Sequence, residues 1–142
     1  MMASLSVLLV EDDAAHAEIT RRNIEELGEN LGTFVHVRDG QAALDHLEAV
    51  RAGGVLPDLI LLDLRLPRLD GLEVLSRVKS DSELKHIPVI VLTTSDAEQD
   101  VSSAYQRGAN SYLVKPVGHA EYMALTRTLS RYWFGLNRVA HS

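Results

Sequence analysis

The chain has no cysteine. That excludes a disulfide framework, thiolate catalysis and a zinc site built on sulfur. It also lacks a basic cluster, with 14 Lys and Arg against 20 Asp and Glu for a formal net charge of −6. Such a balance offers no footprint for nucleic acid or an anionic membrane surface. No apolar run approaches the ~18 residues that a membrane-spanning helix requires. The opening MMASLSVLLVEDD has no basic n-region and only a short apolar run, so no secretory signal is expected. Internal repeats, linkers and low-complexity segments are missing too. What is there is 142 residues, 46% of them hydrophobic. That is enough for one domain with a full core, and a cytoplasmic location is expected.

Five short apolar runs recur: SVLLV (6–10), TFVHV (33–37), LILL (59–62), PVIVLT (88–93) and SYLV (111–114). Four are nearly continuous rather than alternating, which is how strands buried on both faces read. Between them the spacing turns helical. Ile19, Ile24 and Leu27 share one side before Gly28, and Ala43, Leu44 and Leu47 precede RAGG. Leu72, Leu75 and Val78 follow Gly71, while Val101, Ala104 and Tyr105 precede Gly108. From about residue 118, Leu125, Leu129, Trp133 and Leu136 recur at helical intervals. Five alternations of strand and helix imply right-handed crossovers and a doubly wound α/β sandwich. RAGGVLP (51–57) reads as a surface loop.

In such folds, ligands bind outside the carboxyl ends of the strands. Glu11, Asp12 and Asp13 follow the first run and Asp63 the third; Thr93, Thr94 and Ser95 end the fourth, and Lys115-Pro116 follows the fifth. These residues converge on one rim. Carboxylates gathered so closely repel unless a cation sits among them. Oxygen donors of this kind suit Mg²⁺, which binds through one or two carboxylates and keeps several waters. A lysine then holds phosphoryl oxygens as a point charge. The constellation reads as carboxylate phosphorylation, with Asp63 as the nucleophile that forms an acyl phosphate. Taken singly each residue has a plainer reading. Asp12 or Asp13 suits a helix N-cap, Thr93 a turn and Lys115 a solvated surface.

VLLVEDD, PDLILLDLRLPRLDG, IPVIVLTTS and GANSYLVKP together resemble the response-regulator receiver domain of two-component signalling, from about residue 5 to residue 130. The resemblance implies a flavodoxin-like (βα)5 fold, a three-layer sandwich around a parallel sheet of order 2-1-3-4-5. It implies Asp63 as phosphoacceptor, and Asp12 with Glu11 as the acidic pair for Mg²⁺ (or Mn²⁺), Glu11 through water. Asp13 then caps the helix or faces solvent. Arg65 would offer its backbone carbonyl to the metal, Thr93 would be the switch hydroxyl, and Lys115 would pair with a phosphoryl oxygen. A cis bond to Pro116 is expected to aim the lysine inward, and Tyr112 matches the switch aromatic. Arg65 and Ser95 flank the acyl phosphate and are expected to tune its hydrolysis, with Arg65 shielding the phosphoryl group.

The long stretch before the third strand and the end RTLSRYWFGLNRVAHS resemble single-domain regulators that partner phytochrome-type sensor histidine kinases. One receiver domain over 1–142 is expected, with a core at about 5–130 and a helical extension at about 131–142. With no DNA-binding domain, output would pass through protein contacts or onward phosphoryl transfer. Tyr132, Trp133, Phe134 and Leu136 form a dense apolar patch. It either folds back on the sheet or, with the helix 4–strand 5–helix 5 face, supports a homodimer.

Three rivals remain. An aspartate-nucleophile phosphohydrolase would want a second acid two residues after Asp63, where Arg65 stands. A nucleotide or flavin module would want a phosphate cradle after strand 1, where EDDAAH is acidic. A phosphorylation-independent scaffold is disfavoured by the full set of Asp63, Thr93 and Lys115.

Overall fold

Four consecutive apolar residues at 59–62 satisfy burial on both faces only in the middle of a layered structure, and that is where they lie. The computed structural model describes residues 4–28 and 30–139. Its strands are β1 (Leu5–Val10), β2 (Leu31–Val37), β3 (Leu59–Leu62), β4 (Val89–Thr93) and β5 (Ser111–Val114). They alternate with α1 (Ala14–Leu27), α2 (Gly40–Arg51), α3 (Gly71–Ser80), α4 (Glu98–Gln106) and α5 (His119–Arg131). A π-helical turn, Tyr132–Leu136, extends α5. The strands pair in parallel in the order β2-β1-β3-β4-β5, so β3 is central, as expected. The runs at 59–62 and 111–114 coincide with β3 and β5, while β2 begins at Leu31 rather than at residue 33. Of the expected loop 51–57, Arg51 is the last residue of α2 and residues 52–57 lie between α2 and β3.

Successive side chains of a strand point to opposite faces, and the two faces of the sheet carry separate cores. Leu8, Val10, Ile60 and Leu62 join Ala43, Leu47, Val74, Leu75 and Ala104 beneath α2, α3 and α4. Val7, Leu9, Leu59 and Leu61 join Ala17, Ile24, Leu129, Trp133 and Phe134 beneath α1 and α5. This makes three layers. Among the described residues, no helix is long and apolar enough to cross a membrane.

Aspartates start three of the helices. Asp13, Asp39 and Asp70 accept hydrogen bonds from the backbone N–H groups of His16, Ala42 and Leu72. Each such cap is worth about 1 kcal/mol. Asp13 therefore has the capping role. Two of the glycines show different reasons for the absence of a side chain. Gly108, after α4, has φ +103, a conformation that side chains resist. Gly71 begins α3 so close to the end of β3 that a Cβ there would fall 2.3 Å from the Asp63 carbonyl oxygen.

The extension divides. Trp133 and Phe134 are buried in the α1/α5 core, while Tyr132 and Leu136 remain exposed. Of the two readings of this patch, Trp133 and Phe134 follow the first and fold back on the core, while Tyr132 and Leu136 stay at the surface. Residues 1–3, 29 and 140–142, including the end of the expected extension, lie outside the described residues.

The Gly71 contact is with backbone and cannot be relieved by a rotamer change. Gly71→Ala is expected to destabilise the fold by about 1–3 kcal/mol. A lowered urea midpoint with an unchanged slope would register this, and an unchanged midpoint would contradict the packing described.

Candidate functional site

The pairing register brings the ends of β1, β2 and β3 level, and those of β4 and β5 level with each other two residues further on. Val10 lies opposite both Val37 and Leu62, Leu62 opposite Val91, and Thr93 opposite Val114. The hydrogen-bonded ladder runs one step further. Glu11 N–H donates to the Val37 carbonyl (3.0 Å), Asp63 N–H to Val10 (3.0 Å) and Lys115 N–H to Thr93 (2.7 Å). The residues after β1, β3 and β5 are thus held by backbone before their side chains meet.

Their side chains meet at the Lys115 ammonium. Nζ stands 2.6 Å from Glu11 Oε1 and 3.1 Å from Asp63 Oδ2. Lys115, Glu11 and Asp63 are all buried. The second Asp63 oxygen, Oδ1, accepts from Thr93 Oγ1 (2.8 Å) and from the Arg65 backbone N–H (3.1 Å). Glu11 Oε2 accepts from the Asp13 N–H (3.0 Å). Burial pushes the Glu11 carboxyl up to about 7, against the pull of Lys115 and with added repulsion from Asp63. Asp12 is exposed at the rim, and its carbonyl accepts from Arg38 at 3.4 Å. The pocket therefore combines two buried carboxylates and one exposed carboxylate with one buried cation. Among the described residues, no three or more His, Cys, Asp or Glu side chains form a metal-holding cluster.

A second group of predicted residues lies beside the first. The Tyr112 hydroxyl donates to the Ser95 carbonyl (2.8 Å), and Tyr112 is half-buried. Ser95 Oγ donates to Asp100 Oδ2 (2.5 Å), and Arg65 Nη2 pairs with the same oxygen at 3.0 Å. The Arg65 guanidinium is thus anchored on the first turn of α4, largely exposed, and reaches Asp63 only through its backbone N–H. The bond to Pro116 is trans, since the described residues contain no cis peptide. This corrects the cis expectation. Trans is the favoured isomer by about 0.5–1 kcal/mol, and Lys115 takes its inward aim from the β4 ladder and its acceptors.

Two residues of the site went unseen in the sequence. His16 Nδ1 lies 3.0 Å from Lys115 Nζ, and its ring stacks on Tyr122 with centroids 4.5 Å apart. Once Asp13 is taken as the helix cap, His16 falls in the first turn of α1, which was the available signal. Asp100 carries no comparable signal, because its link to Arg65 and Ser95 depends on how α4 meets the β3–α3 loop.

Comparison with known proteins agrees with this geometry. The response regulator receiver domain model matches residues 7–127, and the chain belongs to that family. As a receiver domain it is a signalling protein. The "Probable methanogenesis regulatory protein FilR2" of Methanothrix harundinacea is 47% identical over 133 residues, 93% of this chain and 85% of the relative. The phosphorylated cyanobacterial phytochrome response regulator RcpA superposes with a TM-score of 0.91 at 34% identity, over 98% of this chain and 100% of that one. The Mn²⁺-bound form of response regulator Rcp1 gives 0.88 at 33% identity, over 96% and 99%. The receiver resemblance, its flavodoxin-like sheet order and its likeness to phytochrome-type regulators are all borne out.

The raised Glu11 pKa has a consequence for stability. Between its ordinary value of 4.5 and about 7, the folded chain holds a proton that the unfolded chain has released. Stability from this group is therefore full below 4.5 and is lost as pH rises towards 7. In chelator-treated protein, the urea midpoint is expected to fall across that window, and Glu11→Gln is expected to flatten the fall. Identical slopes for both proteins would contradict the assignment.

Proposed function

We propose that this chain accepts a phosphoryl group on Asp63 from a phosphohistidine of a sensor histidine kinase, of phytochrome type, and signals through protein contacts. The observation that carries the reading is the pairing of Asp63 itself. One carboxylate oxygen is held by the Thr93 hydroxyl and the other by the Lys115 ammonium. An aspartate oxygen attacks phosphorus, and the new P–O bond forms as the P–N bond to the donor imidazole breaks. The leaving nitrogen keeps the electron pair and takes a proton from solvent. Lys115 and Thr93 then have phosphoryl oxygens to hold, which draws Thr93 inward and opens space beside Tyr112.

The donor set fits a hard divalent cation. Two buried acids share one ammonium with a third, Asp12, exposed beside Glu11 in sequence, and burial pushes Glu11 up to about 7 even against the pull of Lys115. Asp63, Asp12 and the Arg65 backbone carbonyl would hold Mg²⁺ or Mn²⁺, with Glu11 engaged through water. When bound, the ion supplies the positive charge that lets an anionic phosphoryl group approach an anionic carboxylate. Mn²⁺-bound Rcp1 and phosphorylated RcpA, both similar over nearly the whole chain, support this chemistry.

Autophosphorylation and slow hydrolysis are the only reactions this reading assigns. A phosphohydrolase would need an acid where Arg65 stands, and that guanidinium is paired with Asp100. Arg65 and Ser95, sharing Asp100 beside the acyl phosphate, are assigned to tuning its lifetime. A cytoplasmic receiver unit spanning 1–142, without DNA contact, is in keeping with the net charge of −6.

A homodimer is proposed across the α4–β5–α5 face with the extension. Tyr105, Val114, Met123, Tyr132 and Leu136 are exposed there, whereas Trp133 and Phe134 support the fold from inside.

Incubation with labelled acetyl phosphate and Mg²⁺ is expected to phosphorylate the wild type and leave Asp63→Asn unlabelled. Persistent label on the variant would remove Asp63 from its role. For the dimer, Tyr132→Ser with Leu136→Ser is expected to reduce the mass in solution from dimer to monomer. A monomeric wild type would refute the dimer, and an unchanged dimer would exclude the tail as its source.

A further inference from the structure

We infer that His16 is a positioning residue for phosphoryl transfer: as the third acceptor on the Lys115 ammonium, it holds that cation between Glu11 and Asp63. The inference rests on Asp63 being the phosphoacceptor and adds a residue from α1 to its machinery.

An ammonium has three N–H groups and no lone pair, so at every contact it is the donor. Lys115 Nζ meets three acceptors: Glu11 Oε1 at 2.6 Å, Asp63 Oδ2 at 3.1 Å and His16 Nδ1 at 3.0 Å. The last contact fixes the imidazole tautomer. Nδ1 must carry the lone pair, so the proton sits on Nε2 and the ring is neutral. Burial and the neighbouring ammonium both lower the His16 pKa from 6.5, in the same sense.

The ring is held in place from several sides. It stacks on Tyr122 at an interplanar angle of 28°. The Tyr122 hydroxyl is tied to Thr20 Oγ1 at 2.8 Å, and Thr20 Oγ1 donates to the His16 carbonyl at 2.8 Å. Asp13 Oδ2 stands 3.7 Å from Nδ1. The charged and titratable groups facing the imidazole are therefore Asp13 on its own helix, Lys115 after β5, Tyr122 on α5 and, beyond the lysine, Asp63 and Glu11. Of the two carboxylates, Glu11 has the shorter contact with Lys115. Without a third acceptor, one of the three N–H groups of the buried ammonium is left unpaired, and its position between the two carboxylates is no longer fixed.

The test compares His16→Leu, which removes the acceptor, with His16→Gln, which keeps an oxygen acceptor but cannot titrate. Labelling by acetyl phosphate in Mg²⁺ is expected to slow on the order of tenfold in the leucine variant, as for loss of one charge-assisted hydrogen bond. The glutamine variant is expected to stay within about threefold of wild type, by retention of that bond. As pH falls through the lowered His16 pKa, the wild-type rate should drop, because protonated Nδ1 cannot accept and repels Lys115. The glutamine variant should lose the part of that fall due to His16 and keep only any part due to Glu11. Independently, ¹⁵N NMR of unphosphorylated wild type should report the Nε2–H tautomer of His16, lost or mobilised in Lys115→Met. A leucine variant that labels like wild type, or an Nδ1–H tautomer, would overturn the inference. If the leucine variant fails to fold, the wild-type tautomer decides. Failure of the Asp63 reading would look different: label would persist in Asp63→Asn while the His16 tautomer stayed as stated.

Discussion

The rest of the structure depends on one buried ammonium. A charge taken out of water is tolerated only when paired and hydrogen-bonded. Lys115 meets that condition with carboxylates from two other strand ends. The demand is mutual. Glu11 and Asp63 are also buried, and each lacks another side-chain cation among its described contacts. Removing one partner of such a set typically costs about 3–5 kcal/mol, because the others are left uncompensated. The parallel register, which sets Val10 level with Leu62 and carries β4 and β5 two residues further to the Thr93–Val114 pair, is what allows the three to meet. The apolar strands and the polar rim are thus one constraint: the sheet exists in a register that its charges can accept.

The same rim is joined to the face made by α4, β5 and α5. Asp63 reaches Thr93 at the end of β4, and two residues later Ser95 holds both Tyr112 and Asp100. Asp100 in turn holds Arg65, beside Asp63 in sequence. The chain from Asp63 to α4 is therefore closed into a ring of contacts. Under the proposed chemistry, added charge on Asp63 competes for Thr93 and for Arg65 at once. Both links to α4 are then biased together, which suits a two-state element better than a single contact would. Nearby, Tyr105, Val114 and Met123 expose apolar surface that such a shift would re-present.

Much of this was legible in the sequence, for identifiable reasons. LILL at 59–62 had to be a doubly buried strand, and β3 has those bounds. The strand ends were readable as a site because a parallel sheet directs every carboxyl end to one rim. Three things were not readable. His16 faces the rim because Asp13 fixes where α1 begins, which sets the angle of its first turn. Asp100 is reached only by the packing of α4 against the β3–α3 loop, which no local spacing encodes. The tail's aromatics divided because a π-turn changes the helical phase at Tyr132, and apolar periodicity assumes a constant one. The cis expectation at Pro116 failed for another reason: the lysine's direction is set by its neighbours, so the isomer need not supply it.

The central claim is that these three strand ends make Asp63, and no neighbouring acid, the seat of an acyl phosphate. Borohydride reduces an acyl phosphate to the corresponding alcohol, turning a phosphorylated aspartate into homoserine. Protein treated with acetyl phosphate and Mg²⁺, reduced, digested and mapped by mass spectrometry should carry homoserine at position 63. Reduction at Glu11 or Asp12, or an unmodified Asp63 in protein shown to carry label, would contradict the account.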